Sequence, residues 1–467
     1  MVKCLNPVIY RVGLFYVIFL STFKMKKLYI SFIFSLLTGF NSSVSAQDTT
    51  PLKLSLERAC TLAVDSNIQI INARIEIEKS HFHEMESKSK LYPTLDGYSN
   101  LNYYYSIPKM MMPGEMFGES GEIAMEIGTK FDWSSGFKAS LSLFNLSNYT
   151  AIQLAKSLNN MNGLSLEQKK EEILYQVHQV YYLCQSTDAQ IVFLNKNMEN
   201  TDKLLSILDN QIKQGAIRRI DYSKLTVTKN NLQTQIDNLA KLKLQQMNIL
   251  KFITGLNKNT QVELTDSLSE QDIKIYCSPD LTARNDIKLL DNQIEVAQLN
   301  KKSISQSYLP TLSATGQFYY QGQQNKFNFF DGRDKFFKVG FIGLSLNIPI
   351  FDGFEKRYKT KQYKSEIAQL QNTKAYTLNS LQKDFSNAVA EYNNSLKAIR
   401  RQTGNIKVAE ENYSVCFQQY KQQTLLLSEL IVAENSLTDA RLTYVDALLQ
   451  LKNAELELKK LYGELTK

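Results

Sequence analysis

Two stretches of this chain, from about Asn148 to Ile212 and from Phe354 to Tyr420, run without a proline and carry a repeating apolar seam. Each is about 65 residues, so as an α-helix each would be roughly 95–100 Å long. Few soluble domains hold such a rod, and this constrains the fold more than any other feature. In the first stretch Ile173, Val177, Val180, Cys184, Thr187, Ile191, Leu194, Met198, Thr201, Leu205, Leu208 and Ile212 alternate steps of four and three, the signature of a coiled-coil seam. The second stretch carries its seam through Leu378, Leu381, Phe385, Ala388, Tyr392, Ser395, Ile399, Gln402, Ile406, Ala409, Tyr413, Cys416 and Tyr420. Its polar members predict looser packing or a face toward water. The last seam, Leu430, Ala433, Leu437, Ala440, Tyr444, Ala447, Leu451, Ala454, Leu458 and Leu461, places alanine at alternate positions and lets a partner backbone approach closely. Shorter helical patterns at 54–90 and 221–254 together match the length of one rod, so two stacked end to end would flank a long one, as in the wall of a tube.

The pattern occurs twice. Leu91-Tyr92-Pro93-Thr94-Leu95 is echoed by Tyr308-Leu309-Pro310-Thr311-Leu312, and Leu143-Phe144-Asn145 by Pro349-Ile350-Phe351-Asp352. An internal repeat of this kind sets the domain plan. Residues 1–46 form a leader, 47–265 a first repeat of helix, strand, strand, long helix and helix, and 266–467 a second. The strand segments have period two. Leu312, Ala314, Phe318 and Tyr320 alternate with Ser313, Thr315, Gln317 and Tyr319. Ile342, Leu344, Leu346, Ile348 and Ile350 alternate with Gly343, Ser345 and Asn347. Phe137, Ala139, Leu141 and Leu143 alternate with Lys138, Ser140 and Ser142, and the run from Thr94 to Tyr105 is aromatic-rich but less regular. One face is apolar and the other polar, at lengths that suit a tilted membrane crossing.

From Met25 the chain reads as a secretory signal peptide: Lys26 and Lys27, an apolar run from Leu28 to Leu37, then Val44 and Ala46 before Gln47,. Met25 is the expected start, and no cysteine follows the cut to carry a lipid. Five of the eight net positive charges lie in this leader, leaving +3 on the mature chain, so a nucleic-acid role loses its main support. After residue 46 no apolar run approaches the ~20 residues of a spanning helix, so any membrane crossing must be a barrel. Four strands cannot close one, and an open edge in lipid costs several kcal/mol per unpaired group. Other copies of the chain must complete the sheet.

The order of motifs resembles the TolC family of outer-membrane efflux proteins from Leu54 to Leu465. The echoes are Leu56-Glu57-Arg58-Ala59 with Ala63 and Asn67, Tyr92-Pro93, Pro349-Ile350-Phe351-Asp352-Gly353, and the turns beginning Gln214-Gly215 and Tyr420-Lys421-Gln422-Gln423. The resemblance implies a mainly α fold with a β-barrel contribution. Long antiparallel coiled-coil helices would form a periplasmic α-barrel, with four strands per protomer in a 12-stranded trimeric transmembrane barrel. It implies a homotrimer in outer-membrane lipid that conducts solutes passively, served by a periplasmic adaptor and an inner-membrane pump of RND or ABC type. The family's tip turns map onto Gln214–Tyr222 and Tyr420–Ala433, with Gly215, Asp221, Tyr420, Gln423 and Glu429 as gate residues. Glu429 matches the first of two acids in the family's pore ring, while Val432 stands where the second is often found. In the tip lock Tyr420 and Asp221 are present, but Leu425 replaces an arginine and Gln423 a glycine. Arg218 and Arg219 are candidates to rebuild it.

Competing chemistry is thin. His81, His83, Glu84 and Glu86 could suggest a metal cluster, but neighbours two apart do not share a helix face, so a solvated surface is expected. Met110, Met111, Met112, Met116 and Met125 offer thioethers to soft ions, with an apolar outer loop as the expectation. Asp331-Gly332 reads as the second outer turn. Cys4, Cys60, Cys184, Cys277 and Cys416 have no C-x-x-C spacing, so neither a disulfide framework nor a zinc site is indicated. Cys184 and Cys416, on apolar stripes, are expected to be buried. With no phosphate loop, Ser/His/Asp set or distinctive carboxylate pair, enzyme activity and cofactors have no positive support. The rival is a secreted periplasmic coiled-coil scaffold. It explains the seams but not strands with one apolar face.

Overall fold

The computed structural model describes residues 51–118, 120–213, 219–269, 279–330 and 336–466. The signal segment, Cys4, Gly215, Arg218, Cys277 and the Asp331-Gly332 turn lie outside these residues. From Leu52 onward the chain is one compact unit. Its elements run β1 (Leu52–Leu54), α1 (Leu56–Ser66), α2 (Ile68–Ser89), β2 (Thr94–Tyr103), β3 (Lys109–Pro113), β4 (Glu122–Glu126), β5 (Phe131–Phe144), α3 (Leu146–Lys213) and α4 (Arg219–Thr254). They continue with β6 (Val262–Leu264), α5 (Asn285–Gln306), β7 (Thr311–Gln324), β8 (Phe336–Asn347), α6 (Glu355–Lys421) and α7 (Leu427–Tyr462). Helix, two strands of the main sheet, long helix and shorter helix occur in that order twice.

The two rods are α3, of 68 residues, and α6, of 67. The seam of α3 faces inward as its spacing predicts: Ile173, Val177, Cys184, Leu194, Thr201 and Leu208 are buried. Between α6 and α7 a core forms from Tyr392 and Ile399 on one side and Ala447, Leu448, Leu451, Ala454 and Leu458 on the other. Each such leucine contributes roughly 1.5–3 kcal/mol on burial. A second core gathers Leu54, Ala59, Ala63 and Ile70 against Ile173, Val177, Tyr181 and Cys184 of α3 and Leu250 and Ile253 of α4.

The helix expected over 54–90 is two helices. Asn67 breaks it, because its side chain offers the backbone an alternative to continuing. Its Oδ1 accepts from Gln69 N at 2.9 Å, capping α2, and its Nδ2 donates to the Ile253 carbonyl at 2.8 Å. The short parallel pair β1–β6, Leu52 opposite Val262, has no strong sequence signal at three residues a strand. Asp266 fastens this joint: it accepts from Leu56 N at 2.8 Å and from the Tyr181 hydroxyl at 3.1 Å. The Leu56 amide, above all, holds its carboxyl below the usual range. Further along, buried Arg284 donates to Asp286 at 2.8 Å, to Glu171 at 3.3 Å and to the Lys460 carbonyl, joining α3, α5 and α7. Burial nevertheless holds the Glu171 carboxyl above its ordinary value. Cys416 is half-buried, not buried, because the lower part of α6 is covered on one side only.

Candidate functional site

The main sheet has the order β2-β5-β7-β8, antiparallel throughout. Its register gives two faces that differ in their main character, although Ser99, Ser135 and Lys338 fall on the first and Phe337, Val339 and Phe341 on the second. Leu95, Ala139, Gly316 and Ile342 form one cross-strand row, and Gly97, Phe137, Phe318 and Gly340 the next row on the same face. The opposite face carries Thr94, Ser140 and Thr315, then Asp96, Lys138 and Gln317, then Asn100, Ser134 and Gln321. The apolar face lies open, with Ile342 90% and Leu344 71% exposed. From Phe336 to Leu346 the strand rises about 33 Å, or about 25 Å at a ~40° tilt, which equals the apolar band of a membrane barrel. Aromatic residues mark both ends. Trp133 meets Phe329, Phe330 and Phe336 edge-on at 5.5–5.7 Å; Phe351 meets Phe354 at 5.3 Å at the other end. Ile348 and Ile350 lie beyond β8, which ends at Asn347, and the run expected to Tyr105 leaves the sheet at Tyr103. The methionine-rich segment is a hairpin, β3–β4, with Met110 opposite Met125. His83 meets Glu86 at 3.0 Å on an exposed face, and no metal-holding group occurs among the described residues.

At the far end of the helices, Leu204 and Leu208 of α3, Leu225 of α4 and Leu427 and Leu430 of α7 form a buried cluster. Leu425 packs against it, as do Tyr222, Tyr413, Phe417 and Tyr420. Leu425, at the position where the resemblance implies an arginine, therefore extends an apolar contact. Tyr420 and Asp221 are brought near each other without a hydrogen bond. Burial, and then the Asp221 charge, raise the tyrosine's pKa, and its buried hydroxyl has no partner among the described residues. Gln423 adopts φ of 60°, the left-handed region where glycine is favoured; its N–H donates to the Tyr420 carbonyl at 2.9 Å. Glu429 lies exposed in the first turn of α7, and Val432 beyond it is 64% exposed. Arg219 is exposed at the start of α4.

Sequence reasoning missed a polar layer just inside this cluster. Glu434 is 4% exposed, and burial raises its carboxyl to about 7, with an Asn200 hydrogen bond opposing the shift. Asn197 Nδ2 donates to Thr438 at 2.6 Å. Glu434 Oε1, Asn197 Oδ1 and Thr201 Oγ1 have no partner among the described residues. The only signal was an acid adjoining seam residue Ala433, indistinguishable in sequence from a solvated one.

Residues 281–464 match the model of the family described as outer membrane efflux protein. No curated protein sequence matches. Among solved structures, the outer membrane protein VceC from Vibrio cholerae is similar at 13% identity, covering 87% of this chain and 96% of its own, with a TM-score of 0.70. The CmeC outer membrane channel of Campylobacter jejuni is 16% identical over 90% of each chain, TM-score 0.70. The open state of the MtrE outer membrane channel of Neisseria gonorrhoeae is 16% identical over 90% of this chain and 93% of its own, TM-score 0.71. The second half of this chain, residues 281–464, is thus similar to the outer membrane efflux proteins, and the fold of the whole described chain, first half included, is that of these outer membrane channels.

Proposed function

We propose that this protein is the outer-membrane exit duct of a tripartite export system. The observation that carries the reading is the four-stranded sheet, long enough to cross a membrane: one face is mainly apolar through Ile342, Leu344 and Leu346, the other richer in polar groups, both edges are open, and it is set on helices of nearly 70 residues. Strand directions alternate from β2 to β8, so β8 of one copy would pair antiparallel with β2 of the next, and no edge would face lipid. Three copies, as the resemblance implies, make twelve strands. Beneath them the helices form a periplasmic tunnel leading to a tip gated by Gly215, Asp221, Tyr420, Gln423 and Glu429. The gate of this chain rests on the apolar cluster around Leu425 where an arginine would otherwise lock the turns. A periplasmic adaptor and an RND or ABC pump supply drive and cargo, which is drugs, metals or secreted polypeptides. The duct itself works passively: docking dilates the tip and solute diffuses through a water-filled bore. A coiled-coil scaffold leaves the exposed apolar sheet face without a purpose.

Membrane fractionation, unheated gel mobility and single-channel recording in a planar bilayer test this. An outer-membrane trimer with discrete, cation-preferring conductance is expected, and Glu429→Gln should weaken the preference, since rings of carboxylates select cations. A soluble periplasmic species without conductance would sink the channel.

A further inference from the structure

Where the chain passes from β8 into α6, a cavity of about 560 Å³ opens between the end of α5 and the start of α6. Its walls differ in kind. Tyr308, Ile350, Phe351 and Phe354 form an apolar and aromatic side, with Ile350 93% and Phe351 74% exposed. The other side is basic. Lys356 sits over the Tyr308 ring at 5.0 Å and 3.7 Å from Asp352, and Arg357 lies over the Phe354 ring at 5.9 Å. Arg357, Lys361 and Lys364 recur at steps of four and three, which puts them on one helix face. All three are exposed and line the cavity, and none has a carboxylate partner among the described residues. The two nearby acids are engaged elsewhere: Glu355 with Lys359 at 2.5 Å, and Asp352 with the amides of Phe354 and Lys356 at 3.1 and 3.2 Å.

Three like charges held on one face repel one another, so the arrangement is stabilised by an anion that bridges them. The neighbouring surface says which kind. The cavity lining begins at Pro349 and Ile350, two residues past the end of β8, the strand whose Leu346 and Leu344 belong to the sheet's apolar face. A free inorganic anion would have no use for the apolar half; an amphiphile with an anionic head would use both halves. We propose that this cavity binds an anionic phospholipid of the periplasm-facing leaflet, its phosphate on Arg357, Lys361 and Lys364 and its acyl chains along Leu346 and Leu344. The site rests on the barrel reading above, because the cavity meets a leaflet only if the sheet spans the membrane.

The test uses the full-length protein reconstituted into bilayers of phosphatidylglycerol mixed with phosphatidylcholine, extracted in mild detergent and weighed by native mass spectrometry. Wild type should retain phosphatidylglycerol over phosphatidylcholine by about fivefold or more, with the preference falling as salt rises. Arg357→Gln with Lys361→Gln and Lys364→Gln should abolish the preference, while Arg400→Gln with Arg401→Gln and Lys407→Gln, lower on α6, should leave it intact. The wild-type preference and its salt dependence need no variant, so a poorly assembling triple mutant does not rescue the idea. Equal retention of the two lipids overturns it. So does displacement of the lipid by millimolar inorganic phosphate, which would make the ligand a free anion. Loss of the trimer in the triple variant with no lipid preference in wild type would also overturn it, assigning the charges to a contact between copies. Failure of the protein to insert at all would count against the barrel reading, whereas insertion without the preference counts against this site alone.

Discussion

α7 and α6 pack side by side with equally regular seams, yet fifteen of the 36 residues of α7 are buried against three of the 67 of α6. Composition sets part of the difference, with ten leucines in α7 against four in α6, and surroundings add to it. α7 is covered by both α3 and α6, so Leu430, Leu451 and Leu458 lose nearly all contact with water. α6 meets α7 and α5 on one side and leaves Tyr376, Val408 and Val415 exposed on the other. A helix with apolar residues beyond its intramolecular seam offers surface for a further contact. The same holds for the sheet, whose interior strands are satisfied and whose apolar face is bare. The contrast separates what one copy buries for itself from the apolar surface it leaves bare, which the proposed barrel and trimer would cover.

The sharpest way to break that contrast is on the sheet. Ile342→Lys with Leu344→Lys should cost about 2–4 kcal/mol each near the bilayer centre and remove the assembled species from outer-membrane fractions. Ser345→Lys, on the opposite face, should assemble normally on an unheated gel; equal loss in both would show that neither face meets lipid. On the helices, Leu451→Ala should lower unfolding stability by roughly 2–5 kcal/mol, read by thermal melting. Val408→Asp with Val415→Asp should leave helical content intact and deplete the trimer band, and if the trimer is unaffected, that face of α6 is not an interface.

Glu434 sharpens the comparison from within α7. Its folded-state pKa of about 7 exceeds the ordinary 4.5, so the folded chain holds the proton more tightly than the unfolded one. Stability contributed by this site is complete below about pH 4.5, falls as pH rises toward 7 and is flat above, a loss of at most ~3 kcal/mol. Melting Glu434→Gln and wild type between pH 5 and 8 should show the slope only in wild type; parallel curves would mean the carboxyl is solvated. The smallest effect concerns thiols. Burial raises Cys184 to about 12 and Cys60 to about 11, so at pH 8 neither presents a useful fraction of thiolate. Mass mapping after maleimide treatment should find half-buried Cys416 modified before either.

Most of the architecture was legible because it rests on period. Steps of three and four from Ile173 onward identified α3, and alternation from Leu312 and Ile342 identified β7 and β8, since side-chain direction along a helix or strand is a local property. The tip was legible only as positions. Leu425 and Gln423 were visible as departures, but their consequences, an apolar cluster and a left-handed turn, depend on what lies opposite. The break at Asn67 escaped because asparagine is compatible with a helix until another acceptor, here the Ile253 carbonyl, engages its amide.

The sequence by itself determined the rods, the alternating strands and their duplicate order, because each follows from spacing along one chain. Only the tertiary structure decided that Glu434 is an interior acid, that Arg284 joins three helices, and that Arg357, Lys361 and Lys364 stand beside an aromatic cavity below the sheet. Those facts turn on burial and on neighbours distant in sequence. Desolvation and charge pairing are set by what surrounds a group, and no local pattern records that.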